Sequence, residues 1–267
     1  MPKNQPELPL QNTKENWQEK KFSNPTDVIR IATLFSGIGA IEHAFERLNL
    51  KKEIIFACDN DSEVKKSYFA NYGIDEKHWH DDISDLNAKK YKSKIDLLVG
   101  GSPCQSFSMV GKRGGLKDTR GTLFYEFARI IDESKPKVFI FENVRGLLSH
   151  DKGNTWQIIQ NVFNDLGYHF KKPELLNSKH FGVPQNRNRI FVVGFRKEKW
   201  KDEFEYPRRI DLETTLQDYL EDYADSTFYL KEKGVKFVTS LKNQMKSYTQ
   251  VNGNIALCQK ANQQFNW

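Results

Sequence analysis

Cys104 is the side chain in this sequence with the clearest chemical potential, carried in the stretch Gly100-Gly101-Ser102-Pro103-Cys104-Gln105-Ser106-Phe107-Ser108. The run Ile95-Asp96-Leu97-Leu98-Val99 precedes it, and a short apolar run ending in two glycines predicts a buried parallel strand that opens into a tight loop. In open α/β sheets, ligands sit at the carboxyl ends of the strands. Pro103 fixes its own φ and restricts Ser102, which holds the thiol in one orientation. The loop by itself leaves two readings open, a nucleophile and a buried structural thiol. Glu142 is the second candidate, at the end of the predicted core strand Lys137-Val138-Phe139-Ile140-Phe141 and so on the same rim. Phe139, Phe141 and Val144 around it would raise its pKa, and the competing reading is a capping or salt-bridged acid. Third comes Gln185-Asn186-Arg187-Asn188-Arg189, ahead of the strand Ile190–Phe195. Strand alternation would set Gln185, Arg187 and Arg189 on one face as a phosphate or base clamp; the competing reading is a surface ion-pair set.

Positioning these groups needs a parallel sheet, and the chain supplies its opening unit. The β-branched run Val28–Phe35 predicts a strand, Ser36-Gly37-Ile38-Gly39-Ala40 a glycine turn, and Ile41, Ala44, Phe45 and Leu48 a helix face. Such a turn lets a ligand approach the backbone, while the helix N-terminus offers amide donors. The next strand, Ile54–Cys58, ends at Asp59, which lies 20 residues beyond Gly39, near the spacing of a ribose-binding acid. A dinucleotide fingerprint would place a third glycine at position 42, where Glu42 stands, so the turn favours a ligand without a pyrophosphate. Asp61–Tyr72 reads as a helix. His80-Asp81-Asp82-Ile83-Ser84-Asp85 reads as a solvated acidic loop that could end a short strand. Val110-Gly111-Lys112-Arg113-Gly114-Gly115 reads as a basic loop able to move over a phosphate backbone, or a plain surface loop. Further helices are predicted from about Leu123, over Asn154–Leu166 with Asn154 as N-cap and Gly167 just past the end, and over Leu216–Tyr223.

Composition bounds the class. The chain has 267 residues, enough to bury a sizeable core, and its aromatic and charged contents are those of a globular protein. A formal net charge of +6 suits a polyanionic partner. Cys58, Cys104 and Cys258 form neither a disulfide framework nor a metal-ligand spacing, which places the chain in a reducing, cytoplasmic setting. No signal peptide and no membrane span are expected. Residues 1–26 read as a polar arm, 27–197 as the catalytic domain, and 198–267 as a connector with a polar, Asn/Gln-rich extension.

Taken together, these segments resemble the DNA (cytosine-5)-methyltransferases of bacterial restriction–modification systems. The resemblance rests on Phe35/Gly37/Gly39, Pro103/Cys104/Gln105, Glu142/Asn143/Val144 and Gln185/Arg187/Arg189, in the family's order, and covers about residues 28 to 196. It implies a Rossmann-like, S-adenosylmethionine-dependent methyltransferase fold, a mostly parallel sheet with helices on both faces. It implies S-adenosylmethionine held by Phe35, Gly37, Ile38, Gly39, Asp59, Asn60, Asp82, Ile83, Gly101, Pro103 and Leu123. Asn60 departs from the apolar residue the family often sets against the adenine. The implied chemistry is addition of Cys104 to C6 of a flipped cytosine, with Glu142 on N3 and the amino group, Arg189 on O2 and lowering the thiol pKa, and Arg187 in support. Gln105, Ser108, Lys112, Arg113 and Gln185 would face duplex DNA. The family continues with a target-recognition domain and a Gly-Asn-Ser-type closing segment; neither is found in 198–267, so the resemblance implies a truncated chain or one subunit of a split enzyme, weak or inactive alone. The rival readings are an RNA (tRNA) cytosine-5 methyltransferase, a non-catalytic DNA-binding subunit and a nicotinamide oxidoreductase.

Overall fold

The structure is a computed structural model and describes Phe22, residues 24–103, 123–199, 204–246, Gln250 and residues 252–258. Its first half alternates strand and helix: β1 (Ile29–Leu34), α1 (Ala40–Arg47), β2 (Lys52–Cys58), α2 (Ser62–Asn71), β3 (Trp79–His80) and β4 (Leu97–Gly100). It continues with α3 (Leu123–Ser134), β5 (Val138–Val144), α4 (Asn154–Asp165), β6 (Tyr168–Phe170), β7 (Glu174–Asn177), β8 (Gln185–Asn186) and β9 (Asn188–Arg196), then α5 (Glu232–Thr239), α6 (Leu241–Met245) and β10 (Ala256–Leu257). The main sheet runs β3-β2-β1-β4-β5-β9-β6, with β7 beside β9. The five strands from β3 to β5 are mutually parallel, whereas β9 is antiparallel to both β5 and β6. This is the mostly parallel sheet the sequence predicts. Strand order reverses between β1 and β4, and that switch point opens the ligand crevice of such sheets.

The core explains the near-continuous apolar strands. Phe124 and Phe127 of α3, Phe139 and Phe141 of β5 and Phe163 of α4 are all fully buried. Their rings meet edge-on or tilted, with Phe139 and Phe163 centroids 4.6 Å apart. Such pairs add about 0.5–1.5 kcal/mol each beyond their area. At the amino ends of the strands, Asp96 accepts from the Arg30 amide and guanidinium at 2.9 Å and pairs with Lys137 at 2.7 Å, tying β1, β4 and β5 together. Burial alone would raise its pKa, but Arg30 and Lys137 hold Asp96 well below the usual carboxylate range.

The chain divides into two compact units. The larger comprises Lys20–Leu175 and Arg189–Tyr206; the smaller takes residues 176–188 and the described part of 207–267. A single cut near 197 therefore does not describe the division, because 176–188 leaves the larger unit and returns at Arg189. In the smaller unit β8 pairs in parallel with β10, and the Asn177 amide donates to Asn186 at 2.7 Å and Asn188 at 3.1 Å.

Three local expectations are corrected. Gly153, with φ 94°, caps α4, and Asn154 is its first helical residue. The helix expected over 216–223 is a single 3-10 turn, Leu216–Tyr219, because Thr215 and Asp218 close a capping box around that one turn. The stretch 185–189 is not one strand: Arg187 breaks it, its amide turning back to the Gln185 carbonyl at 3.0 Å. No helix among the described residues is long and apolar enough to cross a membrane.

Candidate active site

The glycine turn after β1 forms one wall of the crevice. Phe35 takes φ 54°, rare for an aromatic residue, so the chain leaves β1 at a sharp angle. Gly37 and Gly39 follow with φ 56° and 89°. Among the described residues nothing beyond its own chain neighbours lies within 4 Å of where a Gly37 side chain would begin, whereas a Cβ on Gly39 would collide with the Tyr72 ring. The first leaves room for a ligand; the second lets a helix close on the turn from behind. The Gly37 amide donates to Asp59 Oδ2 at 2.9 Å, and the Asp61 amide donates to Asp59 Oδ1 at 3.1 Å. Asp59 thereby joins the ends of β1 and β2. Ile38 is exposed at the tip of the turn.

The facing wall comes from β4, β5 and β9. Gly101 leaves β4 so close to β5 that a Cβ there would lie 2.6 Å from the Glu142 carbonyl and 2.9 Å from Glu142 Oε2. Only glycine allows that approach, and it sets the Glu142 carboxylate beside the loop leading to Cys104. Asn143 is 3% exposed and donates through Nδ2 to the Ser102 carbonyl at 2.9 Å, fastening that loop to β5. Arg189 Nε donates to Glu142 Oε1 at 2.9 Å. The β5–β9 register makes this contact: Arg189 faces Val144 and Phe191 faces Glu142, so Arg189 is the diagonal neighbour of Glu142.

A family model, C-5 cytosine-specific DNA methylase, matches residues 29–266. The chain belongs to this family. Among curated relatives, the orphan methyltransferase M.SPRI of Bacillus phage SPR is 40% identical over 232 residues, covering 76% of this chain and 52% of that protein. The type II methyltransferase M.HpaII of Haemophilus parainfluenzae is 43% identical over 211 residues, covering 78% and 58%. This methylase-family chain thus spans about half the length of the curated relatives it matches. The crystal structure of the S. pombe Dnmt2 methyltransferase superimposes with a TM-score of 0.65 at 21% identity, covering 88% of this chain and 72% of that one, a likeness of fold.

Of the residues expected to serve the methylase, the larger unit brings Phe35, Gly37, Ile38, Gly39, Asp59, Gly101 and Glu142 to the carboxyl ends of its parallel strands, and Arg189 joins them from the amino end of the antiparallel β9. Exposed Asn60 follows Asp59, and Pro103 and Leu123 are exposed on either side of residues 104–122. Cys104, Gln105, Ser108, Lys112 and Arg113 lie outside the described residues. Asp82 is exposed and accepts from the Ser84 amide and hydroxyl, both at 2.8 Å, which holds its pKa below the ordinary value. Ile83 buries its side chain in the core and gives its carbonyl to Arg129 at 2.7 Å. Two expectations change. Strand alternation turns Phe139 and Phe141 to the opposite face from Glu142, so a guanidinium, not the expected aromatic shell, is its close neighbour. Gln185, Arg187 and Arg189 are divided between the two units. Gln185 pairs with Ala256, and Arg187 Nη1 approaches Cys258 Sγ at 3.7 Å, both in the smaller one.

Two residues escaped the sequence reading. Asn143 was visible only as a motif position, with nothing to indicate its bond to Ser102. Glu42 was noted for the glycine it replaces, yet it is fully buried in the first turn of α1. The sequence pattern does not mark this burial: Glu42 lies beside the Ile41, Ala44, Phe45 and Leu48 face, and α1 buries Glu42 and Phe45 while Ala44 is exposed. Cys58 is buried and burial pushes its thiol up to about 12, so it is a poor nucleophile.

Proposed function

We propose that this chain is the catalytic region of a DNA (cytosine-5)-methyltransferase of the type II kind, transferring a methyl group from S-adenosylmethionine to C5 of a cytosine flipped out of duplex DNA. The observation that carries the reading is the meeting of Glu142, Gly101 and Arg189. A carboxylate and a guanidinium 2.9 Å apart stand where Gly101 leaves β4, three residues before Cys104 in sequence. S-Adenosylmethionine fits the facing wall: the turn leaves open space at Gly37, Asp59 presents a carboxylate at the end of β2, and Phe35 offers an aromatic surface. Phe35, Gly37, Ile38, Gly39, Asp59 and Asn60 would hold it, with Asp82, Ile83, Gly101, Pro103 and Leu123. When bound, it supplies an electrophilic methyl carbon and leaves as a neutral thioether.

The remaining work falls to the protein. Cytosine C5 is a weak nucleophile, so the Cys104 thiolate adds to C6 and pushes electron density toward C5 and N3. Glu142 holds N3 and the amino group where negative charge builds on the ring, and Arg189 holds O2 while orienting Glu142. Once C5 carries the methyl group, loss of the C5 proton to a base and expulsion of Cys104 restore the aromatic ring. A stacked base exposes neither face to such attack, so the cytosine leaves the duplex. Gln105, Ser108, Lys112, Arg113, Gln185 and Arg187 would meet the DNA, and a second chain would supply further recognition surface.

The test is a covalent trap. In duplex DNA containing 5-fluorocytosine, fluorine replaces the C5 hydrogen that must leave as a proton, so elimination is blocked and the chain incubated with it and S-adenosylmethionine should form a denaturation-resistant adduct. The adduct is expected to vanish in Cys104→Ser and to be absent with a transfer RNA carrying the same base. If the chain forms the adduct only with a second polypeptide present, the split-enzyme form of the proposal holds. Failure in both settings would overturn it.

A further inference from the structure

We infer that Glu42 is a positioning residue for the cofactor, a buried acceptor that pins the Ser36–Gly39 turn to α2; this rests on the S-adenosylmethionine reading above. Acids are almost never fully buried unless paired. Glu42 is 0% exposed, and among the described residues hydroxyl groups, not a cation, satisfy it. Its Oε1 accepts from the Tyr68 hydroxyl at 2.7 Å and the Thr33 hydroxyl at 3.1 Å, while Oε2 is buried with no hydrogen-bond partner among the described residues.

The contacts lead to the ligand wall. Thr33 Oγ1 lies 2.8 Å from Ser36 Oγ, the first residue of the turn. Ser36 Oγ in turn accepts from the Cys58 amide at 3.0 Å, immediately before Asp59, whose carboxylate holds the Gly37 amide. One helical turn beyond Tyr68, the Tyr72 hydroxyl donates to the Gly39 carbonyl at 2.8 Å, and the two tyrosine rings pack 5.0 Å apart. Two hydroxyls from one stretch of chain therefore grip both ends of the turn, one directly and one through Glu42. Burial, reinforced by Glu42, pushes the Tyr68 phenol well above its ordinary value, so it stays a donor.

Packing alone does not call for an acid here. A hydrophobic residue of similar size would fill the space without desolvating a carboxyl group, but it could not accept from the Tyr68 and Thr33 hydroxyls, which would be left buried without this acceptor. A favourable place near the helix N-terminus would account for an exposed acid in the first turn, not for one bonded through Tyr68 and Thr33 to the turn.

Calorimetric titration of S-adenosylmethionine into the full chain, with melting temperatures recorded beside it, separates these roles. Glu42→Gln keeps the accepting oxygen and should bind within about threefold of wild type, as befits two retained bonds. Glu42→Leu leaves the Tyr68 and Thr33 hydroxyls without their acceptor and should lower the melting temperature, so binding is compared well below the melt of every variant, where Glu42→Leu should weaken it about tenfold. Tyr68→Phe should weaken it too, and the double variant should be no worse than Glu42→Leu, since one contact is being removed twice. Wild-type affinity in Glu42→Leu and Tyr68→Phe would overturn the inference, as would Glu42→Gln binding as poorly as Glu42→Leu, which would assign the effect to charge. If Glu42→Leu does not fold, Tyr68→Phe against Glu42→Gln decides. Absence of wild-type binding would overturn the cofactor reading itself, and this inference with it.

Discussion

Arg189 and Glu142 show how much one contact can depend on strand register. They are 47 positions apart in sequence, yet the antiparallel pairing of β5 with β9 makes them diagonal neighbours at the rim. Both side chains are partly exposed, so their attraction contributes little to folding, on the order of 1 kcal/mol or less. In the proposed reaction, their value lies in the geometry they impose on a flipped base. Arg189→Ala should therefore leave the melting temperature nearly unchanged while slowing adduct formation with 5-fluorocytosine DNA by about a hundredfold or more, the usual loss for one transition-state donor. Arg189→Lys should recover little, because an ammonium cannot reproduce the directed Nε bond. A rate for Arg189→Ala within threefold of wild type would remove the pair from the chemistry.

Among the elements, the parallel strands carry their loops to one edge and are stitched together at the other. Asp96 is the stitch, collecting Arg30 from β1 and Lys137 from the residue before β5. Its folded pKa lies below the unfolded value near 3.9, so its contribution to stability is complete above that pH and is lost as pH falls through the folded pKa. Asp96→Asn should cost about 2 kcal/mol at neutral pH, and urea titrations should show the gap to wild type narrowing only below about pH 4. A gap that is absent at neutral pH, or that grows toward acid, would show that the strands are held otherwise.

For the whole molecule, burial is unevenly distributed. The larger unit holds the cluster of fully buried phenylalanines, whereas in 204–246 only Gly234 is buried, and Tyr223, Phe228, Leu241 and Met245 are exposed. Opening free energy follows buried contact density. Hydrogen exchange should accordingly leave β4 and β5 protected orders of magnitude longer than peptides from 216–246. Comparable protection in the two regions would show that 216–246 is packed more firmly than its exposure implies. Net charge acts at this scale too: at +6, the duplex binding proposed above should rest largely on released counterions.

The sequence by itself determined the order of strands and helices through β5, the glycine turn, the acid at the end of β2 and the membership of the methylase family. Those features are local: apolar runs, glycines at turns and short motifs keep their meaning wherever the rest of the chain goes. Tertiary structure alone decided that Glu142 pairs with Arg189, that the 185–189 stretch is broken and shared between two units, that Asn143 holds the Ser102 loop, and that Glu42 is buried beneath the glycine turn. Each of these joins residues on different elements, or turns on which face of a strand a side chain takes. Periodicity within one segment carries no information about its partner, and long-range register is set only when the segments pack.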